Sequence, residues 1–325
     1  MARADVREGK LQLEMTRFFA PADEVQTTVD APADAGSDGA CQCATVEAPI
    51  QATPQATVQA AEQVVEQVPT PAPAHAPPPP EIVIDTKQFL CIAKAIKQMH
   101  DEATLSIEQA QIHARIMDPS HTVMVDVTIP REACVEYRAD GAVKVPLNLE
   151  DLVNFLKLVD GSRVTVTVND GRFWVGDGTT TNDLPLLDLK EEEADVDVSR
   201  ITPTTEVELS AQALLAGMKK ADSVANHVRI HAREDGTILL EALSDRGNTR
   251  HVIRGNDVLS FNGRPAKACY SVECLKRVLS EMPQLCKTLK LRFADDTPCQ
   301  VVFTLPTSTS KATVIFWIAP YVEGE

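Results

Sequence analysis

Glu81-Ile-Val-Ile-Asp-Thr-Lys-Gln-Phe-Leu90 returns 125 positions downstream as Glu206-Val-Glu-Leu-Ser-Ala-Gln-Ala-Leu-Leu215, and this pair of segments decides the reading of the fold. In both, a short alternating apolar run leads straight into a helical pattern. Under the same offset Lys94 lies over Lys219, and Val125-Asp-Val-Thr128 lies over Arg250-His-Val-Ile253. Self-similarity at a fixed period marks a duplicated structural unit. Residues 81–325 are therefore read as two copies of one unit.

Each copy begins with a strand and a helix and continues in strands. Val164-Thr-Val-Thr-Val168 alternates, Asn169-Asp-Gly171 is a hairpin signal, and Asp235-Gly236 separates Val228-Arg-Ile-His231 from Ile238-Leu-Leu240. A second helix is expected in mid-copy, at Leu149 to Val159 and at Val272 to Met282. The expected class is α+β, with antiparallel sheets and four helices gathered on one face. The organisation reads as an extension over residues 1–80, a first domain over 81–180, a connecting loop over 181–198 and a second domain over 199–325.

The extension is of a different kind. It carries four Lys/Arg against eleven Asp/Glu, and from Ala20 to Pro80 it holds no aromatic residue and ends in Pro77-Pro-Pro-Pro80. Such a composition cannot bury enough apolar area to offset chain entropy, so disorder and a polyproline spacer are expected. The whole chain has a formal charge of −16, so any binding to nucleic acid has to use a locally basic surface. The helices offer one. A helical wheel groups Lys87, Lys94 and Lys97 opposite Phe89, Ile92, Ile96 and Met99. The later helices add Lys157, then Lys219 and Lys220, then Lys276 and Arg277. Contacts from these residues would reach phosphates without reading bases.

Several functions are excluded or disfavoured. No apolar run approaches membrane-spanning length, and the charged start from Met1 to Arg17 has no hydrophobic core of a signal peptide. Of eight Cys only Cys41 and Cys43 are close in sequence, which suits no zinc site, so reduced thiols and no metal are expected. The chain contains no G-x-S-x-G, Walker A or H-E-x-x-H pattern. Gly176-Asp-Gly178 lacks the third glycine and the helix of a dinucleotide site. A cofactor-free, non-enzymatic protein is expected, inside the cell and not secreted.

Ile116-Met-Asp-Pro-Ser-His-Thr-Val-Met-Val-Asp-Val-Thr-Ile129 and Ile318-Ala-Pro-Tyr-Val-Glu323 resemble segments of the archaeal and eukaryotic sliding clamp, proliferating cell nuclear antigen. Tyr270-Ser-Val-Glu-Cys-Leu-Lys276 and Asp295-Asp-Thr-Pro-Cys-Gln-Val-Val302 add to the likeness. The resemblance covers residues 81–325. It implies a ring of three subunits with two similar domains each, sheets outside and helices lining the hole. It further implies encircled double-stranded DNA, bound without sequence preference, and partners that include DNA polymerase, a clamp loader, ligase and nuclease. The compartment would be the archaeal nucleoid, or the nucleus in a eukaryote. Carried over by position, Lys97, Lys157, Lys219 and Lys220 fall where the family lines its hole. Subunits would join through Gly171 to Gly178, with Phe173 and Val175, against Arg246 to Arg254, with Arg246, Arg250 and Val252. The family's partner pocket would lie under the connecting loop at Leu184, Leu186, Leu187 and Leu189. Its floor would hold Met117, His121, Val123, Pro298, Ile318, Ala319, Pro320, Tyr321 and Val322.

The extension also holds Gln12-Leu-Glu-Met15-Thr-Arg-Phe18-Phe19, which fits the short peptide by which partners dock on such clamps. One helical turn sets Met15, Phe18 and Phe19 on one side as an apolar plug, beside the Gln12 amide. The chain would then carry both plug and socket. Two outcomes are expected as alternatives to free partner binding: autoinhibition, or assembly of one clamp on another.

Overall fold

The computed structural model describes residues 78–188, 198–245, 247–306 and 311–321. In the first copy β1 (Glu81–Asp85) runs into α1 (Thr86–Lys97), followed by β2 (Glu102–Ile107), β3 (Gln111–Met117), β4 (Val123–Pro130), β5 (Glu136–Arg138) and β6 (Val143–Asn148). Then come α2 (Leu149–Leu158), β7 (Arg163–Asn169), β8 (Arg172–Gly176) and β9 (Thr181–Pro185). The second copy repeats the order as β10 (Thr205–Ser210), α3 (Ala211–Asp222), β11 (His227–Ala232), β12 (Ile238–Ser244), β13 (Gly247–Ile253), β14 (Val258–Gly263) and β15 (Ala266–Ser271). It ends with α4 (Val272–Val278), β16 (Thr288–Phe293), β17 (Cys299–Pro306) and β18 (Lys311–Ile318). The expected α+β class and the duplication are both present.

Every one of these helices starts directly from a strand, and the last strand residue caps it. Asp85 accepts from Gln88 N, Asn148 from Asp151 N, Ser210 from Ala213 N and Ser271 from Cys274 N, at 2.9 to 3.3 Å. Each cap satisfies an orphan amide and contributes about 1 kcal/mol. The wheel reading of the first helix is correct, since Phe89, Ile92, Ile96 and Met99 are buried and Lys87 is exposed. At Asn169-Asp-Gly171 the two central residues, Asp170 and Gly171, have φ of 51° and 70°. That is the primed turn that matches strand twist, and it closes β7 on β8.

The sheets join the copies unequally. One sheet runs β5-β1-β7-β8-β9, a second runs β13-β12-β11-β15, and the third runs β14-β10-β16-β17-β18-β4-β3-β2-β6. The long sheet is made of two halves, one from each copy, spliced where β18 pairs antiparallel with β4. The short sheets are the same two halves left unspliced. In them β9 and β13, the counterparts of β18 and β4, are edges.

Two expectations fail here. The strand β9 is laddered to β8, so the first copy continues through Pro185 rather than stopping at residue 180. The 125-residue offset also slips in one strand. Arg115 opposes Asp126 and Glu241 opposes Arg250, so Asp126, not Val125, corresponds to Arg250. A one-residue slip exchanges the two faces of a strand. The true counterparts of the buried Val125 and Val127 are Thr249 and His251.

His251 requires space that α3 supplies at Gly217. A Cβ there would overlap Leu240 Cδ1 and stand 2.8 Å from His251 Cδ2. We expect Gly217→Ala to destabilise the fold by about 1–3 kcal/mol through overpacking, measured by urea unfolding. An unchanged midpoint would disprove the fit.

Candidate functional site

The helices carry the expected cations, and the structure pairs half of the eight with carboxylates. Lys94 Nζ lies 3.5 Å from Glu281, Lys97 3.2 Å from Glu150 and Lys276 2.6 Å from Asp222. Lys220 Nζ is 3.2 Å from His251 Nδ1. Burial, then Lys220, holds that imidazole below its usual pKa, which keeps it neutral as an acceptor. Lys87, Lys157 and Lys219 make no ion pair among the described residues. The four helices and the residues just beyond them hold eight Lys/Arg against Glu150, Asp151, Asp160, Asp222, Glu273 and Glu281. The face is positive in a chain that is negative.

Arg277 does not belong to that set. Its guanidinium donates to Asp118 Oδ2 at 2.8 Å, and the Asp118 side chain is only 1% exposed. The bond links α4 of the second copy to the β3–β4 turn of the first. Asp118 also accepts from Thr122 N, Val123 N and Ser120 Oγ. Burial alone would raise this carboxyl, but hydrogen bonds from Val123, Ser120, Arg277 and Thr122 overrule it and hold the pKa below the ordinary value. Arg277 is a strut between copies, and a helical wheel could not reveal a partner so distant in sequence.

The expected partner pocket divides between two places. Val123, Leu184 and Ile318 are in the main core, and Leu186 is half-buried against it. Pro298 is buried. Leu187 donates its N–H to Pro146 O. His121 is an exposed turn residue with φ of 54°. Pro320 bridges to Tyr270, and the Tyr321 ring stacks on His227 with centroids 3.8 Å apart. Leu189, Val322 and the Gln12, Met15, Phe18, Phe19 peptide lie outside the described residues.

Met117 and Ala319 instead join a separate apolar cluster with Met124, Trp317, Val198, Ile201 and Ile315. Met117 opposes Met124, and Met124 opposes Trp317, so one row crosses β3, β4 and β18. By strand alternation this row faces away from the helices, while Val125 and Phe316 face the main core. The sequence reading took a consecutive run, residues 318 to 322. Alternation pointed to Ile315, Trp317 and Ala319.

The expected interface strand is also displaced. Phe173 and Val175 are 1% and 0% exposed, and β8 is laddered on both sides, to β7 and to β9. The edge is β9. A turn closed by Asp177, which accepts from Thr179 N, Thr179 Oγ and Thr180 N, folds the chain back to add it. The signal was present as the Asp177-Gly178 pair, a common hairpin dipeptide. On the other side Arg250 and Val252 do lie on a free edge, β13; Arg246 is outside the described residues.

The described residues thus form duplicated α+β halves with sheet edges at β9 and β13 and Lys/Arg along the helices. Residues 86–173 match the family model for the proliferating cell nuclear antigen N-terminal domain. DNA polymerase sliding clamp 1 of Pyrobaculum aerophilum is 26% identical over 247 residues, covering 74% of this chain and 97% of that protein. Among solved structures, proliferating cell nuclear antigen from Thermococcus kodakaraensis superposes with a TM-score of 0.68 at 23% identity, over 74% of this chain and 99% of that one. The A. fulgidus clamp bound to the C-terminal region of FEN-1 gives 0.67 at 20% identity, over 76% and 100%. The chain is thus similar to proliferating cell nuclear antigen over residues 86–173 and to DNA polymerase sliding clamps over about three quarters of its length.

We expect Asp118→Asn to cost about 3 kcal/mol by leaving Arg277 half-buried without its anion. Because the folded pKa is depressed, this contribution is present above the usual carboxylate range and is lost as pH falls through the lower folded value. Urea unfolding of both proteins from neutral to acid pH checks the cost and its sign.

Proposed function

We propose that copies of this chain close head to tail into a ring that encircles duplex DNA and holds DNA polymerase and other replication and repair proteins on it. The observation that carries this reading is the splice between β18 and β4 inside the chain. The strands β9 and β13 are its duplicates with no partner, so a second copy can make the same joint between chains that the two halves make within one. Pairing edge to edge would also remove two exposed edges.

The duplication specifies that joint in detail. Leu184 faces Phe173 as Ile318 faces Cys299, and Ile318 opposes Val123, the counterpart of Gly247. The predicted register sets Leu184 against Gly247 of the next subunit and Asn182 against Thr249. On the helix side, Met282 Sδ lies 3.9 Å from Cys91 Sγ at the internal splice, next to Glu281. The position that matches Glu281 in the first copy is Leu158, which is 69% exposed. It would pack against Ala216 of the neighbour, the counterpart of Cys91. Three subunits per ring follow from the family resemblance.

With the helices turned inward, Lys87, Lys157 and Lys219 would meet phosphates without base contacts, giving loose, salt-sensitive attraction. Retention would be topological. Partner proteins would dock on the ring as the C-terminal region of FEN-1 does on the A. fulgidus clamp. The role requires no bond-making chemistry.

Leu186 N donates to Gly171 O at the start of the β8 side, so by alternation along β9 the Asp183 N–H points outward. We expect Asp183→Pro to delete that donor and give folded single subunits, whereas the unaltered chain forms rings in light scattering. Rings loaded on a closed circular plasmid should resist high salt and be lost on linearisation. Equal loss from circular and linear DNA would overturn the encirclement.

A further inference from the structure

On the helix side of the internal splice, Val314 opposes Val127 and Phe316 opposes Val125. At the two open edges the same places are polar. The counterparts of Phe316 and Val314 are Asn182, in β9, and Thr180, in the turn before it, while those of Val125 and Val127 are Thr249 and His251 in β13. Both edges exchange apolar side chains for hydrogen-bonding ones at matching positions. Asp177 N donates to Thr180 O and Leu186 N to Gly171 O, so the even-numbered residues of this stretch turn their backbone groups toward β8. Thr180 and His251 would then form a non-hydrogen-bonded pair across the joint, the kind whose side chains come closest.

The proton of the half-buried His251 ring has a defined place. Lys220 Nζ, on α3, lies 3.2 Å from Nδ1. A lysine ammonium holds three donors and no acceptor, so Nδ1 accepts and a neutral ring keeps its proton on Nε2. Gly217 makes room for that side of the ring, since a Cβ there would stand 3.6 Å from Nε2. Nε2 has no hydrogen-bond partner among the described residues.

We infer, on the reading that copies of this chain close into a ring, that Lys220 serves the joint between subunits rather than the DNA: by holding His251 Nδ1 it leaves Nε2–H as the donor to the Thr180 hydroxyl of the next copy. Lys220 is thus a positioning residue that acts through His251. Protonation of the ring removes the acceptor and sets two cations side by side. The charged groups around it are Lys220, Asp257 in the turn before β14 and, across the joint, Asp177 of the next copy, whose carboxylate is committed to Thr179 and Thr180. Burial and Lys220 favour the neutral ring, and Asp257 opposes them. The lock is present above the ordinary histidine pKa and is lost as pH falls through the lower value that the ring has here.

The test follows ring dissociation on dilution by sedimentation velocity, with the full chain at neutral pH and at about pH 5.5. The unaltered chain is compared with Lys220→Met, Thr180→Val, those two combined, and Thr180→Val/His251→Val, which copies the apolar pair of the splice. Circular dichroism melts establish that each folds, and Thr180 is an exposed turn residue whose variant reports on the joint alone. At neutral pH, Lys220→Met and Thr180→Val are each expected to raise the dissociation midpoint about fivefold, and together no further than either alone. Thr180→Val/His251→Val should close as firmly as the unaltered chain and lose its weakening at acid pH. An unchanged midpoint in Lys220→Met, losses that add in the combined variant, or equal pH dependence in Thr180→Val/His251→Val overturns the inference. Absence of rings from the unaltered chain at neutral pH removes the ring reading and the lock with it, whereas rings of equal strength in the unaltered chain and in Lys220→Met remove the lock alone.

Discussion

Six cross-strand pairings, Thr313 with Thr128 through Ile318 with Val123, hold the two copies of this chain in one continuous sheet. The remaining architecture follows from that splice. It places one half of each copy in a shared nine-stranded layer and leaves the other halves as separate sheets with open edges. It brings Glu281 and Met282 against α1, and it sets the β3–β4 turn beside α4, where Arg277 can reach Asp118. The strut and the splice support each other, since a half-buried guanidinium and a buried carboxylate are tolerable only while both partners stay in place.

Counterpart positions in the two copies keep their geometry and change their chemistry. In the first copy Asp126 is held by Arg115 at 2.6 Å and by His113 at 3.2 Å. In the second the signs are exchanged, with Glu241 held by Arg250 at 2.7 Å, while the His231 imidazole 3.0 Å away is kept below its ordinary pKa by burial and makes no hydrogen bond to it. The strand β4 therefore presents an anion where β13 presents a cation. On the helix side, Val125 and Val127 of the splice become Thr249 and His251 at the edge. A joint buried permanently within one chain tolerates an apolar seam; the proposed joint between chains would have a more polar one. Charge at these positions also distinguishes the two receiving strands, so that a donor strand suited to one is less suited to the other.

The copies, their helices and the helix caps were legible because each depends on local pattern. Asp85, Asn148, Ser210 and Ser271 stand where an alternating run gives way to a helical one, and the offset between copies is constant from β1 through β2. Legibility ended where insertions between strands changed the offset. Loops of unequal length around β3 and β12 moved β13 by one residue, and a single slip exchanged Val125 for Asp126 as the counterpart of Arg250. The edge was missed for a related reason. Phe173 and Val175 look like a strand awaiting a partner, and only the Asp177-Gly178 turn reveals that the chain supplies that partner itself. Of the expected pocket-floor residues only Met117 and Ala319 fall in the outer apolar row, because alternate residues of a strand turn to opposite faces. Arg277 could not have been assigned from local pattern at all, since Asp118 lies in the other copy.

The splice has a bearing on how the polypeptide comes off the ribosome. The strand β4 is among the first elements synthesised, yet its partner β18 is the last of the described strands. Throughout elongation the nascent protein therefore presents β4 as an unsatisfied ladder, and once Pro185 has emerged it presents β9 as well. Pairings between residues so distant in sequence form slowly, and exposed ladders on neighbouring nascent chains can pair with each other. The ladder of β4 is completed only when Lys311–Ile318 is free of the exit tunnel.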